Sequence, residues 1–361
     1  MKNIKLTLGL LTGAAAALTL QAQVELTLTG STAFRSIAID RSVSLFDAPV
    51  AITNDTASPN FITIRGTVTG KIPSLGTTPV TLRLSFSGSG SGMLAVKNST
   101  PVSTADTLGT YVNKVPDLAF SDVFPGSATP AIAESSFNRS VLGVIPFVFV
   151  RNNNMTGVNG INREQAVLLM TATGVYSDGA GGFINGMPAS YLGGTGSNPI
   201  YATGRDSGSG TRITVHKVIG FNGTPILWTT NGAGQYIQTG GLSSGGLERN
   251  VIKGQADAIG YLGLSDYAAI AASATAIAYD GVAYSEPAVA NGAYTLWGYE
   301  HVVNRSGGLS SNQQAVKNAL ISAITDATYQ STPIYANSFV RLNQMNVERG
   351  TDGGPITSLN F

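Results

Sequence analysis

The sequence predicts an α/β fold in two lobes. Three observations carry that expectation. Apolar runs of strand length interleave with segments of helical period, and the polar chemistry gathers in Gly/Ser-rich turns between them. The length of 361 residues also exceeds what one hydrophobic core ordinarily organises.

From Ser31 to Phe46 the apolar residues Phe34, Ile37, Ala38 and Leu45 recur at roughly helical spacing, with Ser31 or Thr32 as cap. The alternating runs 61–65 and 80–86 read as strands, separated by Gly and Pro. A short strand covers 117–122 and ends at Asp122. The unbroken apolar run Val141 to Val150 fits a strand buried on both faces. Asn162 and Gln165 form a capping box for a helix over 162–173, which Gly174 stops. A short apolar stretch (Pro199, Ile200, Tyr201) leads into the turn 204–212, and Ile213, Val215, Val218 and Ile219 follow at helical spacing. Beyond a Gly-rich stretch over 231–246, residues 259–264 read as another buried strand. The clearest helix spans 311–328, with Val316, Ala319, Leu320, Ala323, Ile324 and Ala327 on one face. No repeat of fixed period is present.

Composition narrows the class. Apolar residues make up 43% of the chain, charged residues only 11%, and glycine numbers 44, so Ser, Thr, Asn and Gly must cover much of the surface. That profile suits an exported protein. Lys2 and Lys5 precede the apolar run Leu6 to Ala17, and Ala22 offers a small residue before a cut, the layout of a signal peptide over residues 1–22. That run is too short to span a bilayer comfortably. With no cysteine there is neither a disulfide framework nor a lipid-anchored cysteine at the cut. A soluble protein released beyond the inner membrane is expected. Formal net charge is +1 and falls just below zero without Lys2 and Lys5, and no basic block exists, which argues against nucleic acid as a partner. His216 and His301 lie far apart in sequence, so no metal site is expected from them.

The polar turns hold the candidate chemistry. Gly204 to Arg212 (Gly-Arg-Asp-Ser-Gly-Ser-Gly-Thr-Arg) sits where a strand gives way to a helix. Glycine lets backbone amides approach a ligand, a helix N-terminus presents unpaired N–H groups, and an arginine adds a forked charge. Such a turn suits an anion, although Ser or Asp there also serves as a plain N-cap. Two similar turns occur at 30–34 (Gly-Ser-Thr-Ala-Phe) and 87–92 (Ser-Gly-Ser-Gly-Ser-Gly).

In order along the chain these motifs resemble the periplasmic phosphate-binding proteins of phosphate ABC transporters, in the type II periplasmic-binding-protein superfamily. Residues 30–34 resemble the first phosphate loop and 88–92 the second. Ala119-Phe120-Ser121-Asp122 resembles the segment ending in the proton-accepting aspartate. Residues 145–150 are similar to the first interlobe crossing strand, 205–211 to the arginine loop, and 258–262 to the returning strand. The resemblance implies a mixed sheet in each lobe and two crossing strands at a hinge. It implies lobe I over 23–147 plus about 266–361, and lobe II over about 148–265. The ligand-binding residues it implies are Ser31, Thr32, Phe34, Ser89, Asp122, Arg205, Ser209, Gly210 and Thr211. Ligand would be phosphate or a similar oxyanion, captured without cofactor, metal or catalysis by a periplasmic monomer that serves an inner-membrane ABC permease.

The chain departs from the family in three places. Ala33 stands where a ligating Thr is usual. Asp206 comes one residue before the place of the acid that pairs with the arginine. The stretch 54–78 reads as a hairpin insertion. Other classes fit less well. Asp206-Ser207-Gly208 resembles a serine-protease triplet, but both histidines follow it, and residues 66–72 miss a P-loop by one residue of spacing. A phosphatase on the same anion site, an outer-membrane barrel, and an envelope protein that reuses the fold structurally are the remaining alternatives.

Overall fold

The computed structural model describes residues 23–48, 50–54, 60–172, 175–177, 183–195 and 199–359. The expected signal peptide, Gly174 and part of the 54–78 stretch lie outside them. Among the described residues one mixed sheet of twelve strands dominates. Its main path runs Met187–Pro188, Pro199–Ala202, Ala258–Gly263, Phe137–Asn152, Trp297–Arg305, Leu118–Ser121, Val24–Gly30, Val80–Phe86, Phe61–Gly66, Ala51–Asn54.

The strand Phe137–Asn152 explains how one sheet has two halves. Its first part pairs antiparallel with Trp297–Arg305, ending at the pair Pro146 and Trp297, and from Phe147 to Arg151 it pairs with Ala258–Gly263 instead. Proline has no amide to donate, so Pro146 falls where the ladder changes partner. Phe147, Val148, Phe149 and Val150 are fully buried, each side chain contributing about 1.5–3 kcal/mol on transfer from water. The continuous run that predicted this strand is therefore its central part, and six further residues extend it.

The later strands continue on the second part of Phe137–Asn152. Ala258–Gly263 and Ala274–Tyr279 both pair with the second part of Phe137–Asn152, so the chain stays on that half well past residue 265. It returns at 294–297, where the Phe147 amide donates to the Leu296 carbonyl (2.9 Å) and the Tyr294 hydroxyl to the Phe147 carbonyl (2.7 Å). Residues 258–262 lie in a strand flanked by Pro199–Ala202 and Phe137–Asn152. Other differences are local. The first helix covers Arg35–Val43, because the turn 31–34 occupies the expected first turn. The helix at Ser311–Thr325 ends early because Asp326 caps the next one, accepting from the Tyr329 amide. Asn162 and Gln165 form their capping box on Arg163–Thr171. Phe61–Gly66 joins Ala51–Asn54 and Val80–Phe86 in antiparallel pairs at the sheet edge.

Parallel pairing decides where the helices start. Val24–Gly30 runs parallel to Val80–Phe86 and to Leu118–Ser121, and Pro199–Ala202 runs parallel to Ala258–Gly263. Four of these strands lead into helices, at Arg35–Val43, Ser89–Asn98, Gly210–Ile219 and Leu264–Ala268. Ligands of open α/β sheets bind at the carboxyl ends of such strands. No helix among the described residues is long and apolar enough to cross a membrane.

Candidate anion-binding site

The first turn is built on Gly30, whose φ of +108° suits glycine and whose added Cβ would lie 2.0 Å from the Phe120 carbonyl oxygen. That close approach lets the Ser31 amide donate to the same carbonyl (2.9 Å). The Ser31 hydroxyl accepts from the Phe34 amide (3.2 Å), and Phe34 packs on Phe120 and Phe339. The second turn is pinned to the first, since the Ser87 and Gly88 amides both donate to the Gly30 carbonyl (3.1 and 2.8 Å). The helix Ser89–Asn98 that follows has no side-chain cap. Its first-turn amides therefore need partners from elsewhere, and the Gly90 amide finds one in the Gly208 carbonyl (3.0 Å).

The third turn is shaped by its own acid. Asp206 accepts from the Gly208 amide through its carboxylate (3.1 Å) and from the Ser209 amide through its carbonyl (3.2 Å). Ser209 then caps Gly210–Ile219, accepting from the Arg212 amide (3.4 Å). Asp206 is thus a turn former and makes no ion pair with Arg205. Backbone oxygens replace it, because the Arg205 guanidinium donates to the Leu242 carbonyl (3.1 Å) and the Ser243 carbonyl (3.0 Å). The same group donates to the Thr32 hydroxyl (3.0 Å), and the Arg205 amide donates to the Tyr261 hydroxyl (3.4 Å). Arg205 is only 2% exposed. Those fixed acceptors hold the planar guanidinium in one orientation.

Asp122 joins the second and third turns. Its carboxylate receives the Ser89 hydroxyl on one oxygen and the Thr211 hydroxyl (3.4 Å) on the other, while Thr214 donates to its carbonyl (3.3 Å). Burial pushes its pKa up, opposed by those hydroxyls, its own amide and the charge of Arg205. Gly210 touches this carboxylate so closely that an added Cβ would lie 1.6 Å from Oδ1 and 2.5 Å from the Ser89 hydroxyl. All nine residues singled out from the sequence therefore lie on these turns or at the strand end they surround. Ser31 and Phe34 use their polar groups locally. Thr32, Ser89, Asp122, Arg205, Gly210 and Thr211 converge. Ala33 faces Gly263, where an added Cβ would lie 3.4 Å from the Ala33 side chain.

Sequence reasoning missed three buried carboxyls nearby. Glu300 is fully buried on Trp297–Arg305. Glu248 accepts from the Tyr261 amide (2.9 Å), and burial pushes its pKa up to about 8. Asp352 accepts from the Phe124 amide (2.8 Å) and is pushed up to about 7 by burial. The available signal was a lone acid in an apolar run, as at Gly298-Tyr299-Glu300-His301-Val302. His216 and His301 are both buried, which drops each to about 3, and Arg139 faces His301 at 3.1 Å. Neither bonds to a hydroxyl of the site.

No family model matches the sequence, and no curated protein matches it. Solved structures do match. A Clostridium perfringens protein described as a phosphate ABC transporter substrate-binding protein, with bound phosphate, superposes with a TM-score of 0.58 at 15% identity, covering 88% of this chain and 99% of its own. The fold is that of the phosphate-binding proteins. A human phosphate binding apolipoprotein has a TM-score of 0.52 at 15% identity, covering 88% of this chain and 92% of its own. A high affinity periplasmic phosphate-binding protein, bound with phosphate at pH 8.5, has a TM-score of 0.51 at 12% identity, covering 88% and 91%.

Proposed function

We propose that this chain is an exported binding protein that captures phosphate between the two halves of its sheet and presents it to an inner-membrane ABC permease. One observation carries the reading. A buried arginine, a buried aspartate and the hydroxyls of Ser89 and Thr211 meet beneath helix N-termini, with the groups contributed by both halves. Helix amides, hydroxyls and Arg205 donate to oxyanion oxygens. Asp122, acceptor-only when ionised, requires a proton on the ligand. Phosphate carries one at neutral pH and sulfate does not, so sulfate would set acceptor against acceptor. Phosphate binding by proteins of the same fold supports this reading. The protein would act as a periplasmic monomer.

Isothermal titration of the anion-free protein with phosphate and then sulfate at neutral pH tests it. Micromolar or tighter phosphate binding with no sulfate signal is expected. Tight sulfate binding would refute the role of Asp122. Ala33 and the turn-forming Asp206 favour a second reading, capture of a different oxyanion, which binding of arsenate or a phosphonate in preference to phosphate would establish.

A further inference from the structure

A second carboxyl shares the buried layer of Asp122. Leu118–Ser121 and Trp297–Arg305 are antiparallel with His301 opposite Ser121, and one more step of that register sets Glu300 beside Asp122. Both residues are almost wholly buried. Neither Glu300 carboxylate oxygen has a hydrogen-bond partner, although the Ser31 hydroxyl and the Ser121 amide lie nearby outside bonding geometry. Gly298, two residues earlier on the same strand, approaches both the Asp122 carbonyl (2.8 Å from an added Cβ) and the Thr214 hydroxyl (3.4 Å). This strand face therefore lies against Asp122 and the helix Gly210–Ile219.

The surrounding groups decide where a proton resides. Leu118–Ser121 leads to Asp122, and the turn after Val24–Gly30 brings Ser31. Glu300 pairs across the other ladder with Gly143, against which the Tyr335 hydroxyl packs. The helices Ser89–Asn98 and Gly210–Ile219 bring the hydroxyls of Ser89, Thr211 and Thr214, all of which go to Asp122. Among the described residues no cation forms an ion pair with Glu300, whereas the charge of Arg205 is felt by Asp122. Two carboxyls in one buried site do not both ionise without a large penalty. The negative charge belongs on Asp122, whose oxygens receive two hydroxyls and the field of Arg205, and the proton on Glu300, which Ser31 and Ser121 face more loosely and no cation offsets. Burial and the charge of Asp122 both push Glu300 well above the carboxylate range.

We propose that Glu300 is the second carboxyl of the oxyanion pocket and serves it as a neutral hydrogen-bond donor, opposite Asp122 as acceptor, so that the pocket selects an anion able both to give and to take a hydrogen bond. This rests on the oxyanion reading above. Ionisation of Glu300 removes the donor and sets a second negative charge against the ligand. Once pH exceeds the Glu300 pKa, affinity for the phosphate dianion falls about tenfold per pH unit.

Glu300→Gln keeps a neutral donor and removes the ionisation. The test is calorimetric titration with inorganic phosphate from about pH 7 to about pH 10, beyond the second ionisation of a phosphate group, beside ligand-free thermal melting from about pH 5 to about pH 10. The variant is expected to lose the alkaline weakening that wild type shows. A carboxyl whose folded pKa is raised contributes stability that is full below its unfolded pKa and lost as pH rises towards the folded value. Wild type should therefore melt progressively lower than Glu300→Gln as pH rises. Glu300→Ala, lacking the donor, should bind about tenfold more weakly at neutral pH. Identical alkaline weakening in wild type and Glu300→Gln, with parallel melting profiles, overturns the donor role while leaving phosphate capture intact. Diverging melting profiles without phosphate binding by wild type overturn phosphate capture and the donor role together.

Discussion

Gly210→Ala tests whether the two halves of the sheet close directly on Asp122. Gly210 begins a helix that follows Pro199–Ala202 in the second half, and Asp122 ends Leu118–Ser121 in the first. A methyl at position 210 would lie 1.6 Å from Asp122 Oδ1 and 2.5 Å from its Cγ. Asp122 has nowhere to retreat, because it is buried and hydroxyls hold both its oxygens. Restoring van der Waals distance requires about 2 Å of separation between helix and carboxylate. That displacement breaks the Thr211 bond to Asp122 (3.4 Å) and the Gly90 amide bond to Gly208 (3.0 Å), each worth about 1 kcal/mol net. Alanine returns up to about 1 kcal/mol through helix propensity, but in both open and closed states, so that gain does not favour closure. The closed state should lose about 2 kcal/mol, or roughly 30-fold in phosphate affinity, with a larger radius of gyration in solution scattering. Gly254→Ala, where nothing lies within 4 Å of an added Cβ, is the control and should bind normally. Affinity within about threefold of wild type for Gly210→Ala would refute the reasoning.

Asp122→Asn should weaken phosphate binding by about 2–3 kcal/mol and relax the rejection of sulfate, because an amide can donate to a fully ionised anion; unchanged selectivity in a competition assay would remove Asp122 from the proton-accepting role. Arg205→Lys cannot reproduce donation to the Leu242 and Ser243 carbonyls and the Thr32 hydroxyl together, so titration should show about 2 kcal/mol less binding energy and melting a loss of about 1–2 kcal/mol. Glu248, raised from 4.5 to about 8 by burial, contributes stability that is full below about pH 4.5 and lost as pH rises to about 8, at about 1.4 kcal/mol per pH unit. Glu248→Gln should flatten that slope in denaturant titrations, and a slope equal to wild type would show that Glu248 is ionised in the fold.

The chemistry of this protein was written locally and its geometry was not. The turns 30–34, 87–92 and 204–212 were legible because glycine and hydroxyl side chains beside apolar strands have few other uses. Val80–Phe86 was legible because alternation over one strand length is a local signal. Asp122 stood out as the acid at the end of an apolar strand. Tertiary structure alone decided what those residues face. Glu300 became a neighbour of Asp122 only through the antiparallel register that sets His301 against Ser121. Arg205 found its acceptors 37 and 38 residues away, at Leu242 and Ser243, in place of the adjacent acid. The boundary between the halves followed which strand pairs beyond Pro146, and such long-range pairing leaves no trace in a window of neighbouring residues. Sequence sets the periodicity and the turn chemistry because both depend on residues a few positions apart. Register, burial and the juxtaposition of Asp122 and Glu300 depend on residues nearly two hundred positions apart, and only the folded chain brings those together.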